Sequence, residues 1–249
     1  MRDINVGLIG FGTIGSGVVR ILQENGEIIR NKLGKTIVLC KIADIDLKRP
    51  RPVRVPEEIL TNDARSLIYD ERIDVVIELM GGFEPARTFI MEALNNGKHV
   101  VTANKALLAN HGDEIFKIAE TKGLNLGFEA SVGGTIPVIK TLKESLVANR
   151  IKSIMGIMNG TANFILSKMT DEGKEFATVL NEAKELGFAE ANPTYDIEGI
   201  DTAHKLAILL SLAYGKKVDL SEIYCEGISK VTKQDIEFAK ELGYRIKLL

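Results

Sequence analysis

Apolar positions in the first half of the chain follow two alternating patterns. Short runs rich in β-branched residues, Ile4–Ile9, Ile37–Ala43, Val75–Leu79, His99–Thr102 and Leu124–Phe128, are almost continuously apolar. The longer stretches between them, Ile14–Arg30, Pro85–Asn96 and Ala106–Lys122, repeat apolar residues at helical spacing. Strands covered by helices on both faces read as unbroken apolar runs, whereas a helix with one buried face keeps a helical period. The alternation therefore predicts βαβ units closed into a parallel sheet.

After Glu129 the alternation stops. Thr135–Val147 is predicted helical, with Pro137 tolerated in its first turn. Ile151–Met158 is predicted as a strand, and Ala162–Met169, Lys174–Leu186 and Ile200–Tyr214 as helices. The change near Ser131 predicts two domains, 1–130 and 131–249, with the Pro/Arg-rich stretch Lys48–Pro56 as a surface loop of the first. There is no internal repeat or low-complexity segment.

Composition narrows the class without naming a function. Hydrophobic residues make up 45% and charged residues 27%, as in ordinary soluble globular enzymes. A formal net charge of -2 supplies no electrostatic drive toward nucleic acid or an anionic membrane. The best apolar stretch, Leu206–Tyr214, is too short to span a bilayer, and the N-terminus runs straight into a strand without a signal-peptide pattern. Cys40 and Cys225 lie far apart, without metal-ligand spacing; Cys40 sits in an apolar run and is expected to be a buried thiol. A soluble cytoplasmic protein is the expectation.

The first chemical motif is Gly10-Phe11-Gly12-Thr13-Ile14-Gly15. GxGxxG alone is weak, but here it follows the strand INVGLI and opens an apolar-periodic helix, the context of a dinucleotide-binding turn. Gly10 permits the tight turn, Gly12 lets backbone approach a pyrophosphate, and Gly15 allows close helix–strand packing. The first N–H groups of the helix attract the phosphates. Asp44, at the end of the second strand, is placed to bond ribose hydroxyls and would favour NAD. Asp46 competes for that role, and Lys48 and Arg49 could instead meet the 2′-phosphate of NADP, so NAD versus NADP stays open. Met80-Gly81-Gly82 and Thr102-Ala103-Asn104-Lys105 follow later strands at the same sheet edge, which makes Lys105 a candidate for substrate contact or proton handling.

Beyond the sheet, Glu129-Ala130-Ser131-Val132-Gly133-Gly134-Thr135-Ile136-Pro137 puts a carboxylate before a glycine turn. It reads either as a plain strand-to-helix turn or as an oxygen cage for a hard monovalent cation. The segment GFAEANPTYDIEGIDTAHK, Gly187–Lys205, gathers Glu190, Asp196, Glu198 and Asp201 before an amphipathic helix. Asp201 and Lys205 are four residues apart and share one helix face. A lysine held among carboxylates can give and take a proton, while other carboxylates bind an ammonium group. The alternative is an acidic helix start with a surface ion pair. His204, adjacent, points elsewhere around the helix and reads as packing or surface.

Taken together, these motifs resemble homoserine dehydrogenase. The likeness runs in order through GFGTIG at Gly10–Gly15, ELMGG at Glu78–Gly82, TANKALLA at Thr102–Ala109 and EASVGGTIP at Glu129–Pro137. It continues through GIMNGTANFIL at Gly156–Leu166 and GFAEANPTYDIEGIDTAHKLAIL at Gly187–Leu209. The resemblance implies a Rossmann-type doubly wound parallel sheet followed by an α+β substrate and dimerisation domain. It implies NAD(P)-dependent interconversion of L-homoserine and L-aspartate 4-semialdehyde, in threonine, methionine and isoleucine biosynthesis, by a homodimer.

The same resemblance makes Lys205 the catalytic proton donor, Lys105 a second catalytic lysine, and Glu190, Asp196 and Asp201 the substrate-binding carboxylates. Phe11, Thr13, Ile14, Lys105 and Gly187 would contact the cofactor. Glu129 with the carbonyls of Val132, Gly134 and Ile136 would hold a structural sodium ion.

Two departures stand out. Ile45 occupies a position where many NADP-using members carry arginine. The chain ends at Leu249, before a further cofactor segment of the family, so it is expected to be C-terminally truncated. A catalytically incomplete nucleotide-binding or assembly fragment is the competing reading. Aspartate-semialdehyde dehydrogenase is disfavoured, because neither cysteine sits in a nucleophile motif.

Overall fold

A computed structural model describes residues 2–249, in two compact units, 2–137 and 138–249. The first unit is built on a six-stranded sheet whose paired strands are all parallel. Its strands are β1 (Ile4–Ile9), β2 (Ile37–Ala43), β3 (Leu60–Thr61), β4 (Val75–Glu78), β5 (His99–Thr102) and β6 (Leu126–Gly127). Their spatial order is β3-β2-β1-β4-β5-β6. The chain reverses its direction of winding between β1 and β4, which opens a crevice beyond their carboxyl ends.

The helices of this unit are α1 (Thr13–Glu24), α2 (Gly26–Leu33), α3 (Arg65–Ile68), α4 (Ala86–Asn95) and α5 (Lys105–Thr121). The single helix expected over Ile14–Arg30 is two, broken at Asn25, which ends α1 and precedes Gly26. Neither residue favours a helix interior. The core joins Leu8, Phe11, Val19 and Ile42 beneath the glycine turn, so burial of apolar area anchors the turn from below. Cys40, expected buried, is half-buried; its thiol pKa is raised, chiefly by desolvation.

The second unit is helical in its described residues: α6 (Val138–Lys140), α7 (Gly160–Glu172), α8 (Phe176–Glu185), α9 (Thr194–Ile197), α10 (Ile200–Tyr214) and α11 (Lys233–Glu241). The expected helix Thr135–Val147 is only α6 and a wider π-type turn over Thr141–Ser145. The expected strand Ile151–Met158 is not a strand: a β-ladder needs a neighbouring strand, and the Met158 carbonyl is instead bonded by the Lys205 ammonium. The core of this unit packs Ile165, Leu166 and Met169 of α7 against Val179 and Ala183 of α8 and Ile236 of α11. None of the helices among the described residues is long and apolar enough to cross a membrane.

Candidate active site

The crevice of the first unit begins at the glycine turn. Gly10 has φ +96, and a Cβ there would meet the Leu79 carbonyl carbon at 2.7 Å, so only glycine lets β1 turn against the end of β4. A Cβ on Gly15 would collide with the Gly10 carbonyl oxygen, whereas one on Gly12 would enter open space. Gly12 is the N-cap of α1 and offers no side-chain cap, so the first N–H groups of this 12-residue helix lack a side-chain acceptor there. The crevice has a volume of about 680 Å³ and is lined by Gly10, Gly12, Asp44, Arg49, Arg51 and Met80 among others. That size suits a small-molecule site, and the helix start suits a phosphate.

The expected cofactor residues take different parts in this crevice. The Phe11 ring is buried in the core, leaving its backbone for the cleft, while Thr13 and Ile14 are exposed at the start of α1. Asp44 ends β2 with both carboxylate oxygens engaged. Oδ2 accepts from the Phe11 N–H at 2.6 Å, and Oδ1 accepts from the Asp46 N–H at 2.8 Å. Arg51, which the reading of Lys48–Pro56 as a surface loop overlooked, stands 3.4 Å from Oδ1 with its side chain 8% exposed. Its Nε donates to the Phe11 carbonyl at 2.7 Å, and its guanidinium lies over the Phe11 ring, 4.5 Å from the centroid. Nothing in the hydrophobic pattern marks this arginine, because its partners come from a distant turn.

A second element missed by pattern is Glu78, 0% exposed at the end of β4. Oε1 accepts from the N–H groups of Met80 at 2.8 Å and Gly81 at 3.3 Å, and Oε2 accepts from the Thr102 hydroxyl at 2.6 Å. The Thr102 oxygen in turn accepts from the Asn104 N–H at 3.0 Å, and Asn104 Nδ2 donates to the Gly82 carbonyl at 2.6 Å. Asn104 also caps α5, whose first residue is Lys105. This network ties the turn after β4 to the turn after β5. A lone charged residue closing the apolar run VVI, at the head of ELMGG, was the signal in the sequence.

In the second unit Asp201 and Lys205 lie one turn apart on α10, with Lys205 Nζ 2.8 Å from Asp201 Oδ2. Lys205 also donates to the Met158 carbonyl at 2.7 Å. Asn159, 4% exposed, joins this pair to a second carboxylate. Its Nδ2 donates to Asp196 Oδ1 at 2.8 Å and to Asp201 Oδ2 at 3.0 Å, while its Oδ1 accepts from the Ala162 N–H at 2.8 Å and caps α7. An Asn before a helix start is a sequence-level cap signal, and it could have drawn attention to this residue. The structure thus brings Asp196, Asp201 and Lys205 together; Glu190 is exposed beyond the end of α8, near Gly187, which turns with φ +77. His204 is buried, in keeping with a packing role.

Glu129 opens a tight turn in the first unit. The Glu129 carbonyl accepts from the N–H groups of Val132 and Gly133, each at 3.3 Å, and the Ile136 N–H donates to the Gly133 carbonyl at 3.1 Å. Val132 is buried, Glu129 half-buried, and Gly134 and Ile136 exposed.

Comparison with known proteins adds a different kind of finding. The family model described as "Homoserine dehydrogenase, NAD binding domain" matches residues 10–129, and that described as "Homoserine dehydrogenase" matches residues 137–249. A homoserine dehydrogenase of Neisseria gonorrhoeae is 49% identical over 249 residues, which is 100% of this chain and 57% of that protein. The crystal structure of a homoserine dehydrogenase from Thiobacillus denitrificans superposes with a TM-score of 0.92 at 49% identity, over 99% of this chain and 57% of that one. A crystal structure from Archaeoglobus fulgidus, assigned to the homoserine dehydrogenases, matches at TM-score 0.87 and 36% identity, over 98% of this chain and 78% of its own. The chain spans little more than half the length of the curated relatives it matches.

Proposed function

The chain belongs to the homoserine dehydrogenase family, and on that premise we propose that its activity is the NAD(P)-dependent interconversion of L-homoserine and L-aspartate 4-semialdehyde. One observation carries the reading: a mostly buried ammonium, Lys205, held by a carboxylate and a carbonyl. An ammonium has three N–H donors, and Asp201 and Met158 take two, leaving the third to meet a substrate oxygen.

The crevice fits a nicotinamide dinucleotide. The space beside Gly12 would take the pyrophosphate against the start of α1, and the Asp44 end would take the adenosine ribose. When bound, such a group supplies or accepts the hydride. The chain's own residues handle the proton. In the direction of aldehyde reduction, Lys205 protonates the carbonyl oxygen as negative charge develops on it; in oxidation it receives that proton from the hydroxyl. Asp201 holds the ammonium in place, and a fixed cation at the developing alkoxide stabilises it where charge appears. Asp196 and Glu190 present carboxylates for the substrate ammonium, Lys105 serves as a second lysine at the substrate, and Gly187 serves as a backbone cofactor contact.

Three finer readings go with this. Glu129 and the carbonyls of Val132, Gly134 and Ile136 are proposed to hold a sodium ion, since oxygen donors suit a hard cation. The assembly is proposed to be a homodimer, and the setting cytoplasmic, in the formation of threonine, methionine and isoleucine from aspartate. The deciding experiment follows absorbance of the reduced cofactor when the protein is given homoserine with NAD or NADP. Homoserine-dependent reduction of either cofactor, lost on Lys205→Ala, is expected; reduction that persists unchanged in the variant would defeat the proposed role.

A further inference from the structure

We propose that Arg51 makes the ribose end of the crevice accept a 2′-phosphate, by neutralising Asp44 and by holding the loop that carries Arg49. The proposal rests on the reading of this crevice as a dinucleotide site. An acidic residue at the end of the second strand ordinarily selects the unphosphorylated ribose twice over: it accepts from the ribose hydroxyls and it repels a phosphate.

Asp44 is hindered in both respects. Its Oδ2 is held by the Phe11 N–H at 2.6 Å, and its Oδ1 by the Asp46 N–H at 2.8 Å. The Arg51 guanidinium, 3.4 Å from Oδ1, compensates its charge, and with Asp44 only 15% exposed the pair is poorly screened by solvent. Asp44 is therefore committed to the protein before any ligand arrives.

Arg51 itself is not placed to donate to a phosphate. Nε donates to Phe11 O at 2.7 Å, Nη1 to Arg49 O at 2.9 Å and Leu47 O at 3.4 Å, and Nη2 to Asp46 O at 2.5 Å. With the Asp44 contact, the five N–H groups of a guanidinium are accounted for. These bonds tie the loop between residues 46 and 51 to the glycine turn. Arg49, exposed on the crevice lining, is left as the cation that meets the phosphate directly. Arg51 is thus a positioning residue for cofactor choice, and Arg49 the contact.

The test is calorimetric titration with ADP-ribose and 2′-phospho-ADP-ribose, which differ only in the phosphate and require no turnover. The unaltered protein is expected to bind the phosphorylated probe at least as tightly as the other. Arg51→Met should weaken the phosphorylated probe by about tenfold or more while shifting ADP-ribose by less than about threefold, the scale of one lost charge interaction. Adding Asp44→Asn to that variant should restore the part of the loss due to the uncompensated carboxylate, while the part due to the released loop remains. Arg49→Gln should weaken the phosphorylated probe alone. Equal loss of both probes in Arg51→Met, no recovery in the double variant, or an unaltered protein that prefers ADP-ribose by more than about tenfold overturns the proposal. If the unaltered protein binds neither probe, the dinucleotide reading fails and this inference falls with it; if it binds both and Arg51→Met changes neither, only the role of Arg51 is refuted.

Discussion

Lys205 Nζ stands 2.8 Å from Asp201 Oδ2, one helical turn back on α10, in surroundings where the carboxylate is almost wholly buried. The pair fixes the ammonium in position where little water reaches it, and this is the arrangement a proton donor for a developing alkoxide requires. Removing it should therefore separate chemistry from binding. Lys205→Ala is expected to lower turnover of homoserine by about a hundredfold or more, the usual cost of a lost general acid. Nicotinamide cofactor affinity, measured by calorimetry, is expected to change little. Retention of more than about a tenth of the parent rate would assign the proton to another group, with Lys105 the next candidate.

Asn159 links the α7 cap to both carboxylates of the cluster, and two substitutions separate these tasks. Asn159→Ala removes the cap and the bridging donor together and should cost about 2 kcal/mol in a denaturant titration. Asn159→Asp keeps a capping oxygen but sets a third carboxylate against Asp196 and Asp201. Crowded like charges raise the folded-state pKa values above the unfolded ones, so the folded state takes up protons more readily. The Asp variant should accordingly be weakened at neutral pH and recover relative to the parent as pH falls toward the carboxylate range. A pH-independent deficit in its thermal midpoint would show that the carboxylates do not feel residue 159.

Glu78 satisfies two backbone N–H groups and the Thr102 hydroxyl with no exposed surface. Glu78→Ala leaves those donors buried without an acceptor and should destabilise the first unit by about 3 kcal/mol in urea. Glu78→Gln, which still offers an oxygen to Met80 and Gly81, should cost clearly less. Equal losses would mean that packing, not hydrogen bonding, explains the residue.

Asp70 carries a pH-dependent share of the stability. The Arg72 side chain, bonded to it at 2.7 Å, pulls its pKa far below the ordinary 3.8, with the Arg72 N–H and Lys41 adding to the effect. A depressed folded-state pKa contributes stability that is present above the unfolded value and is lost as pH falls through the folded one. The thermal midpoint of the parent should thus decline on acidification below about pH 4, and Asp70→Asn should show a shallower decline. Parallel curves for the two proteins would remove Asp70 from the acid response.

Much of the fold was legible from the one-dimensional pattern. The apolar runs at Ile4–Ile9, Ile37–Ala43, Val75–Leu79 and His99–Thr102 became the four central strands nearly to the residue, and Ile200–Tyr214 became α10 without adjustment. The glycine turn and the pairing of Asp201 with Lys205 were also open to reading, because each depends on neighbours within a few positions and on fixed helix geometry. The chain alone also carries the family, through six ordered motifs.

Tertiary structure decided what depends on distant partners. Ile151–Met158 has the composition of a strand yet is not one, since a ladder is a property of two segments and composition describes only one. Arg51 looked like one more charge in a surface loop until the fold brought Phe11 and Asp44 to it. Asn159 joined Asp196 and Asp201 only once the start of α7 met α9 and the first turn of α10. Glu78 changed from the polar end of a strand to the brace between two turns in the same way. Local sequence sets backbone preference and the face a side chain takes, whereas the charge balance of a buried group is set by whichever atoms the chain's return brings within a few ångströms.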